Sequence, residues 1–214
     1  MNAKVEKNST RTMLGRLLAG AVVGAGATAL FLALVGEPHM DLDDPAVMLA
    51  IVTGLIYALI GLMVALGLAA PRTGARFLNV EDADELREEG PKLRVGAVVC
   101  ILAGVFLLVL AMADGGALIG REAALVIAGA CLALIVLLTL VSRKRYDELT
   151  RQISLESSAL TLHSSLVLLG GWAALAHLGY VEWLDPLALI SALALLELIA
   201  IMVVSTRKGL MRPR

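Results

Sequence analysis

Residues 94–114 read RVGAVVCILAGVFLLVLAMAD: a run without Asp, Glu, Lys, Arg or His, bracketed by Arg94 and Asp114. At ~1.5 Å per residue such a run, wound as a helix, is long enough for the roughly 30 Å hydrocarbon core of a bilayer. Inside lipid every backbone N–H and C=O needs an internal partner, which a helix supplies. The run lacks the apolar–polar alternation of a barrel strand. Five further runs have the same character, so transmembrane helices are expected at 17–36, 46–70, 95–113, 123–142, 157–180 and 186–206. Only the last carries an Asp, Glu, Lys or Arg, Glu197, and only the fifth carries histidines, His163 and His177.

The basic–acidic bracket of the quoted run is repeated along the whole chain. Lys4, Lys7, Arg11 and Arg16 precede the first run; Arg72, Arg76, Arg87, Lys92 and Arg94 lie between the second and third. Arg143, Lys144, Arg145 and Arg151 lie between the fourth and fifth, and Arg207, Lys208, Arg212 and Arg214 follow the sixth. If the gaps alternate sides, these basic residues share one side and Arg121 alone takes the other. The opposite side holds Glu37, Asp41, Asp43, Asp44, Asp114, Glu122, Glu182 and Asp185. Cytoplasmic segments beside membrane helices are rich in Lys and Arg, which sets the orientation.

The expected architecture is an all-α integral membrane protein of six helices, arranged as three antiparallel hairpins with both termini cytoplasmic. Residues 1–16 form a cytoplasmic segment, 17–206 the membrane domain and 207–214 a basic cytoplasmic tail. A basic face turned toward anionic inner-leaflet lipid suits a bacterial plasma (inner) membrane. The chain is 59% hydrophobic with mean hydropathy +0.86, against roughly 45–50% apolar for a soluble domain. The basic segment ahead of the first run resembles a signal peptide, but the apolar part exceeds the ~7–15 residues of such a leader and reads as a membrane helix.

Local signals refine the ends of the runs. Asp44-Pro45 and Asp185-Pro186 each read as an N-cap followed by proline at the first helical position, so the second and sixth helices open alike. Tyr180 and Trp183 fall where an aromatic interface belt belongs. Between Pro71 and Gly90-Pro91, residues 80–89 are expected as a short charged helix. In 143–156, the i, i+4 pairs Asp147/Arg151 and Gln152/Glu156 support a helix continuous with the fifth run. Small residues mark expected close packing: Gly20 and Gly24 in the first run, Gly54 and Gly61 in the second, Gly170 and Gly171 in the fifth. Cys100 and Cys131 lie at different depths and read as unpaired apolar residues.

Chemistry, if any, centres on Glu197. Intramembrane acids are rare, face the bundle interior and are candidates for function. At ~1.5 Å per residue, Glu197 lies about 14 Å from the inner surface and His163 about 9 Å, on neighbouring antiparallel helices. These two form the candidate intramembrane polar pair, with Thr161, Ser164, Ser165 and Ser191 nearby. One reading is a proton or ion relay. The other is a neutral acid that glues two helices, since desolvation disfavours the charged form. His177 reads as an interfacial side chain. His39 with Asp41, Asp43 and Asp44 reads as a solvated acidic loop whose spacing does not match a calcium loop.

No phosphate loop, HExxH, GxSxG or CxxC pattern occurs, so the chain offers no catalytic, cofactor-binding or metal-binding motif. No basic domain points to nucleic acid. The stretch from Tyr146 to Tyr180, with Asp147-Glu148-Leu149, Arg151, Glu156 and Gly170-Gly171-Trp172, resembles a segment of small bacterial inner-membrane proteins, a resemblance that implies no activity. The expectation is a non-enzymatic structural, accessory or assembly subunit. Its partners are the lipid bilayer and a membrane protein or further copies of itself. The alternatives are a small proton- or ion-coupled transporter or channel using Glu197 and His163, and a membrane sensing module.

Overall fold

The structure is a computed structural model that describes residue 20 and residues 22–36, 42–71, 74, 83–113, 119–143 and 146–210. Among them every regular element is helical. An apolar helix α1 runs over Val22–Val35 and widens to π geometry over Leu32–Gly36. There follow α2 (Pro45–Ala69), the short α3 (Ala83–Glu88), α4 (Gly90–Ala113), α5 (Arg121–Ser142), α6 (Glu148–His177) and α7 (Pro186–Arg207). Five of these, α2 and α4 to α7, are long and apolar enough to cross a membrane. This makes the chain an α-helical, membrane-embedded protein. The first expected span falls partly outside the described residues, and α1 is its described portion.

The helix starts follow their chemistry. Asp44 accepts the Ala46 N–H at 2.7 Å and Asp185 the Leu187 N–H at 2.7 Å, each with proline in the first turn. These aspartates satisfy backbone donors that the first turn leaves open. The chain bends at Glu89, between α3 and α4, and Gly90-Pro91 opens α4, where a missing proline N–H costs nothing. Of the charged segment ahead of it, Ala83–Glu88 is helical, and residues 80–82 lie outside the described residues. α6 is continuous from Glu148 into the fifth run. Its Gln152 donates to Glu156 at 2.8 Å, but Asp147 does not pair with Arg151, which sits 4.0 Å from Glu148 instead. Asp147 is the N-cap, accepting the Thr150 N–H at 3.2 Å, so its carboxylate is turned back onto the helix end.

The helices form a row in which α4 packs on α2 and α5, while α7 packs on α2 and α6. α5 and α6 are therefore the two edges. The central pair meets at glycines. A Cβ on Gly104 would lie 2.6 Å from Gly54 O, and one on Gly61 would lie 2.6 Å from Ala97 O. In lipid, where apolar surface gains nothing by leaving the solvent, such backbone proximity supplies the dispersion contacts that hold helices together. A cluster of Val47, Ala50, Ile51, Leu55 and Ala111 closes one end of this interface, with Phe31, Leu32 and Val35 of α1 packed on it. Both cysteines are unpaired.

Candidate functional site

A polar constellation lies where α2 meets α7. Tyr57, about three turns into α2 on its buried face, donates its hydroxyl to Ala194 O of α7 at 2.8 Å. Glu197, three residues further along α7, is half-buried and within electrostatic reach of that phenol, as is the Cys100 thiol of α4. Thr53, one turn from Tyr57 on the same side of α2, is 1% exposed and its hydroxyl has no hydrogen-bond partner. Ser191 of α7 is fully buried and returns its hydroxyl to Leu187 O at 2.7 Å. The arrangement brings one carboxyl, one phenol and one uncommitted hydroxyl to a single helix crossing.

His163 is elsewhere on the circumference of α6. Its side chain is exposed, and Nδ1 lies 2.7 Å from Ala159 O of its own helix. A carbonyl only accepts, so Nδ1 is the donor in this contact. The side of α6 turned toward α7 is the i, i+4 row Ser157, Thr161, Ser165, Leu169 and Ala173, all at least half-buried. His163 is two residues from Thr161 and from Ser165, about 200° around a helix with 3.6 residues per turn. No hydrogen bond or ion pair joins it to Glu197 among the described residues. His177 is exposed at the end of α6; His39 and Asp41 lie outside the described residues.

The glycines separate in the same way. Gly54 and Gly61 are at the α2–α4 contact, whereas a Cβ on Gly20, Gly24, Gly170 or Gly171 would meet no atom within 4 Å. Among the described residues no cluster of three or more His, Cys, Asp or Glu side chains is placed to hold a metal ion. Among the described residues, two of the surface clefts are well defined. One, of about 310 Å³, lies between the ends of α4 and α7 at Leu110, Asp185 and Ile190; the other, of about 150 Å³, lies by Lys92, Ser142 and Tyr146. Neither reaches Glu197 or Tyr57.

Charged contacts gather at the end of the bundle that carries the basic residues. Lys208 binds Glu156 at 2.7 Å, and Lys92 bridges Glu89 at 3.1 Å and Asp147 at 3.7 Å. Hydrogen bonding from Thr150, and then the Lys92 charge, hold the Asp147 carboxyl below its ordinary range. A lowered folded value means that this contribution is present at neutral pH and lost as the pH falls through the lowered value.

Sequence reasoning missed Tyr57. The available signal was its position: a phenol in the middle of an apolar run, away from the interfacial belt, where a buried hydroxyl must find a partner. Its partner, a main-chain carbonyl, carries no sequence signature. Tyr57→Phe is expected to cost about 0.6 kcal/mol, with a ceiling near 1.7, the range for interhelical hydrogen bonds in membranes. Unfolding of the variant in bicelles or mixed micelles, paired in a double-mutant cycle with Glu197→Gln, measures both the loss and the coupling of the two side chains. Comparison of the chain with protein-family models, curated proteins and solved structures found no match to any of them.

Proposed function

We propose that the chain is a non-enzymatic, multi-pass protein of the bacterial plasma membrane that acts as a structural, accessory or assembly subunit of a membrane complex. One observation carries this reading. Of the five long helices, α6 has the lowest mean hydropathy, and none of its most apolar stretch is buried within the chain. Ser158, His163, Gly170 and Gly171 are all on its exposed surface. A lipid-facing surface is favoured by bulky apolar side chains, as α5 has with Leu125, Val126, Val136 and Leu137 exposed and as part of α6 has with Leu162, Leu166 and Val167. The imidazole and two glycines elsewhere on α6 suit contact with another helix instead, because small residues admit a close backbone and polar groups bond across the interface. The test is mass spectrometry of the protein extracted in native lipid nanodiscs. A stoichiometric membrane partner or defined oligomer supports the reading, and a lone monomer overturns it.

In this reading there are six spans, with α1 part of the first and both termini cytoplasmic. The charge distribution supports that orientation: Arg94, Arg143, Arg151 and Arg207 mark one end of α4 to α7, and Asp44, Glu122 and Asp185 the other. Reporter fusions after residues 80, 148 and 214 are expected to read cytoplasmic, and those after 40, 117 and 183 external. An external signal at 80 or a cytoplasmic one at 117 contradicts the scheme.

A proton- or ion-coupled transporter using Glu197 is the second reading. The Tyr57 and Thr53 hydroxyls near the α2–α7 crossing favour it. Against it, the middle of α4 and of α5 offers no polar side chain beyond Cys100 and Cys131 to extend a path.

A further inference from the structure

α6 is attached unevenly. Among the described residues its one extensive neighbour is α7. Within the row that faces α7, Ser157 donates to Ser154 O at 3.1 Å, Thr161 to Ser157 O at 2.9 Å and Ser165 to Leu162 O at 2.9 Å. Each of these hydroxyls is spent on its own helix, and Ser191 of α7 does the same. The middle of the α6–α7 contact therefore rests on dispersion between small side chains, without the hydrophobic drive that water would supply. Among the described residues two ion pairs tie α6 to other helices, and both are at one end: Glu156 with Lys208 after α7, and Asp147 with Lys92 of α4. The other end is covalently joined to α7 through a turn in which Gly179 takes a φ of 78°, a conformation that glycine adopts without strain.

We propose that α6 is a latched arm. Its hinge is the Gly179 turn, and its latch is the pair of ionic contacts Glu156–Lys208 and Asp147–Lys92. Neutralising or screening the latch lets the basic-end half of α6 swing away from α7 while the hinge end stays packed. The side chains that close the latch are partly open to solvent, with Lys208 26% and Glu156 43% exposed, so mobile ions and competing anions reach them. The device goes beyond the subunit reading and does not require it: a monomer can carry the same latch.

Double electron–electron resonance in nanodiscs tests it. Spin labels are placed on exposed positions in a Cys100→Ala/Cys131→Ala background: Leu155 with Met202 at the latch end, and Leu175 with Ile190 at the hinge end. In Glu156→Gln/Asp147→Asn the Leu155–Met202 distribution is expected to broaden and shift to longer distance, with Leu175–Ile190 unchanged. Asparagine remains a good N-cap, so the start of α6 is preserved. The unsubstituted latch in high salt is expected to show the same broadening, which separates release from misfolding. A charge swap, Glu156→Lys with Lys208→Glu, is expected to retain the narrow distribution. An unchanged latch-end distribution in both the neutralised variant and high salt overturns the proposal. So does equal movement at the two ends, or a swapped chain as broad as the neutralised one.

Discussion

Gly104→Val is expected to destabilise the protein by about 3 kcal/mol or more, at or beyond the upper end of ordinary overpacking. The position faces main chain. A Cβ there would lie 2.6 Å from Gly54 O, 2.7 Å from Ala58 N and 2.9 Å from Ala58 Cβ. Backbone atoms inside a helix cannot turn aside as a side chain can, so α2 and α4 must separate along their shared length. Because α2 also carries α7, and α7 carries α6, that separation disturbs the whole row. Even Gly104→Ala introduces the offending atom, and it should lower the midpoint of unfolding measurably. Gly54→Ala is expected to be milder, since its nearest contact would be Leu108 Cγ at 3.0 Å, part of a side chain that can move. Unfolding by SDS titration or heating, followed by circular dichroism, ranks the three. A Gly104→Val protein as stable as the parent would mean that α2 and α4 are not in close contact.

Gly170→Ile should do the reverse: leave the fold intact and weaken assembly at least about tenfold, equivalent to ~1.4 kcal/mol. Among the described residues, no atom beyond its own stretch of helix lies within 4 Å of a Cβ at this position, so no packed neighbour opposes a larger side chain. Isoleucine is also comfortable in lipid. A partner helix resting on Gly170 and Ala174 would be displaced by the added bulk, and close approach is the source of its affinity. The measurements are unfolding, expected unchanged, and the fraction assembled by mass spectrometry at several protein-to-lipid ratios, expected to fall. An assembled fraction that does not change would remove Gly170 from the interface.

Depth was legible in the chain; direction around each helix was not. Residues 94–114 identify a helix long and apolar enough to span because hydrophobicity is a property of a run; α4 ends with that run at Ala113 but begins a turn before Arg94, at Gly90. Asp44-Pro45 and Asp185-Pro186 announced two helix starts correctly because a cap is settled within three residues. Glu197 stood out for the same kind of reason, as the one acidic residue in an apolar run. Its neighbours could not be read that way. Placing His163 near Glu197 used depth alone, whereas the packing row of α6 runs through Thr161 and Ser165 and leaves His163 on the exposed surface. Asp147 looked like a partner for Arg151 by spacing, but capping the Thr150 N–H took its carboxylate.

The sequence by itself determined that this is an all-helical membrane protein, where five of its apolar spans fall and how two of them begin. These depend on composition along one dimension and on contacts between near neighbours. The tertiary structure decided which glycines touch, placing Gly54 and Gly61 against α4 and leaving Gly170 and Gly171 open. It also set the Tyr57 hydroxyl on the Ala194 carbonyl of α7 and put α6 at an edge, held by Lys208 and Lys92. In a bilayer every helix has an apolar surface that lipid can satisfy, so hydrophobicity does not choose neighbours. Close backbone approach, a few hydrogen bonds and charges at the ends make that choice, and they act between residues far apart in the chain.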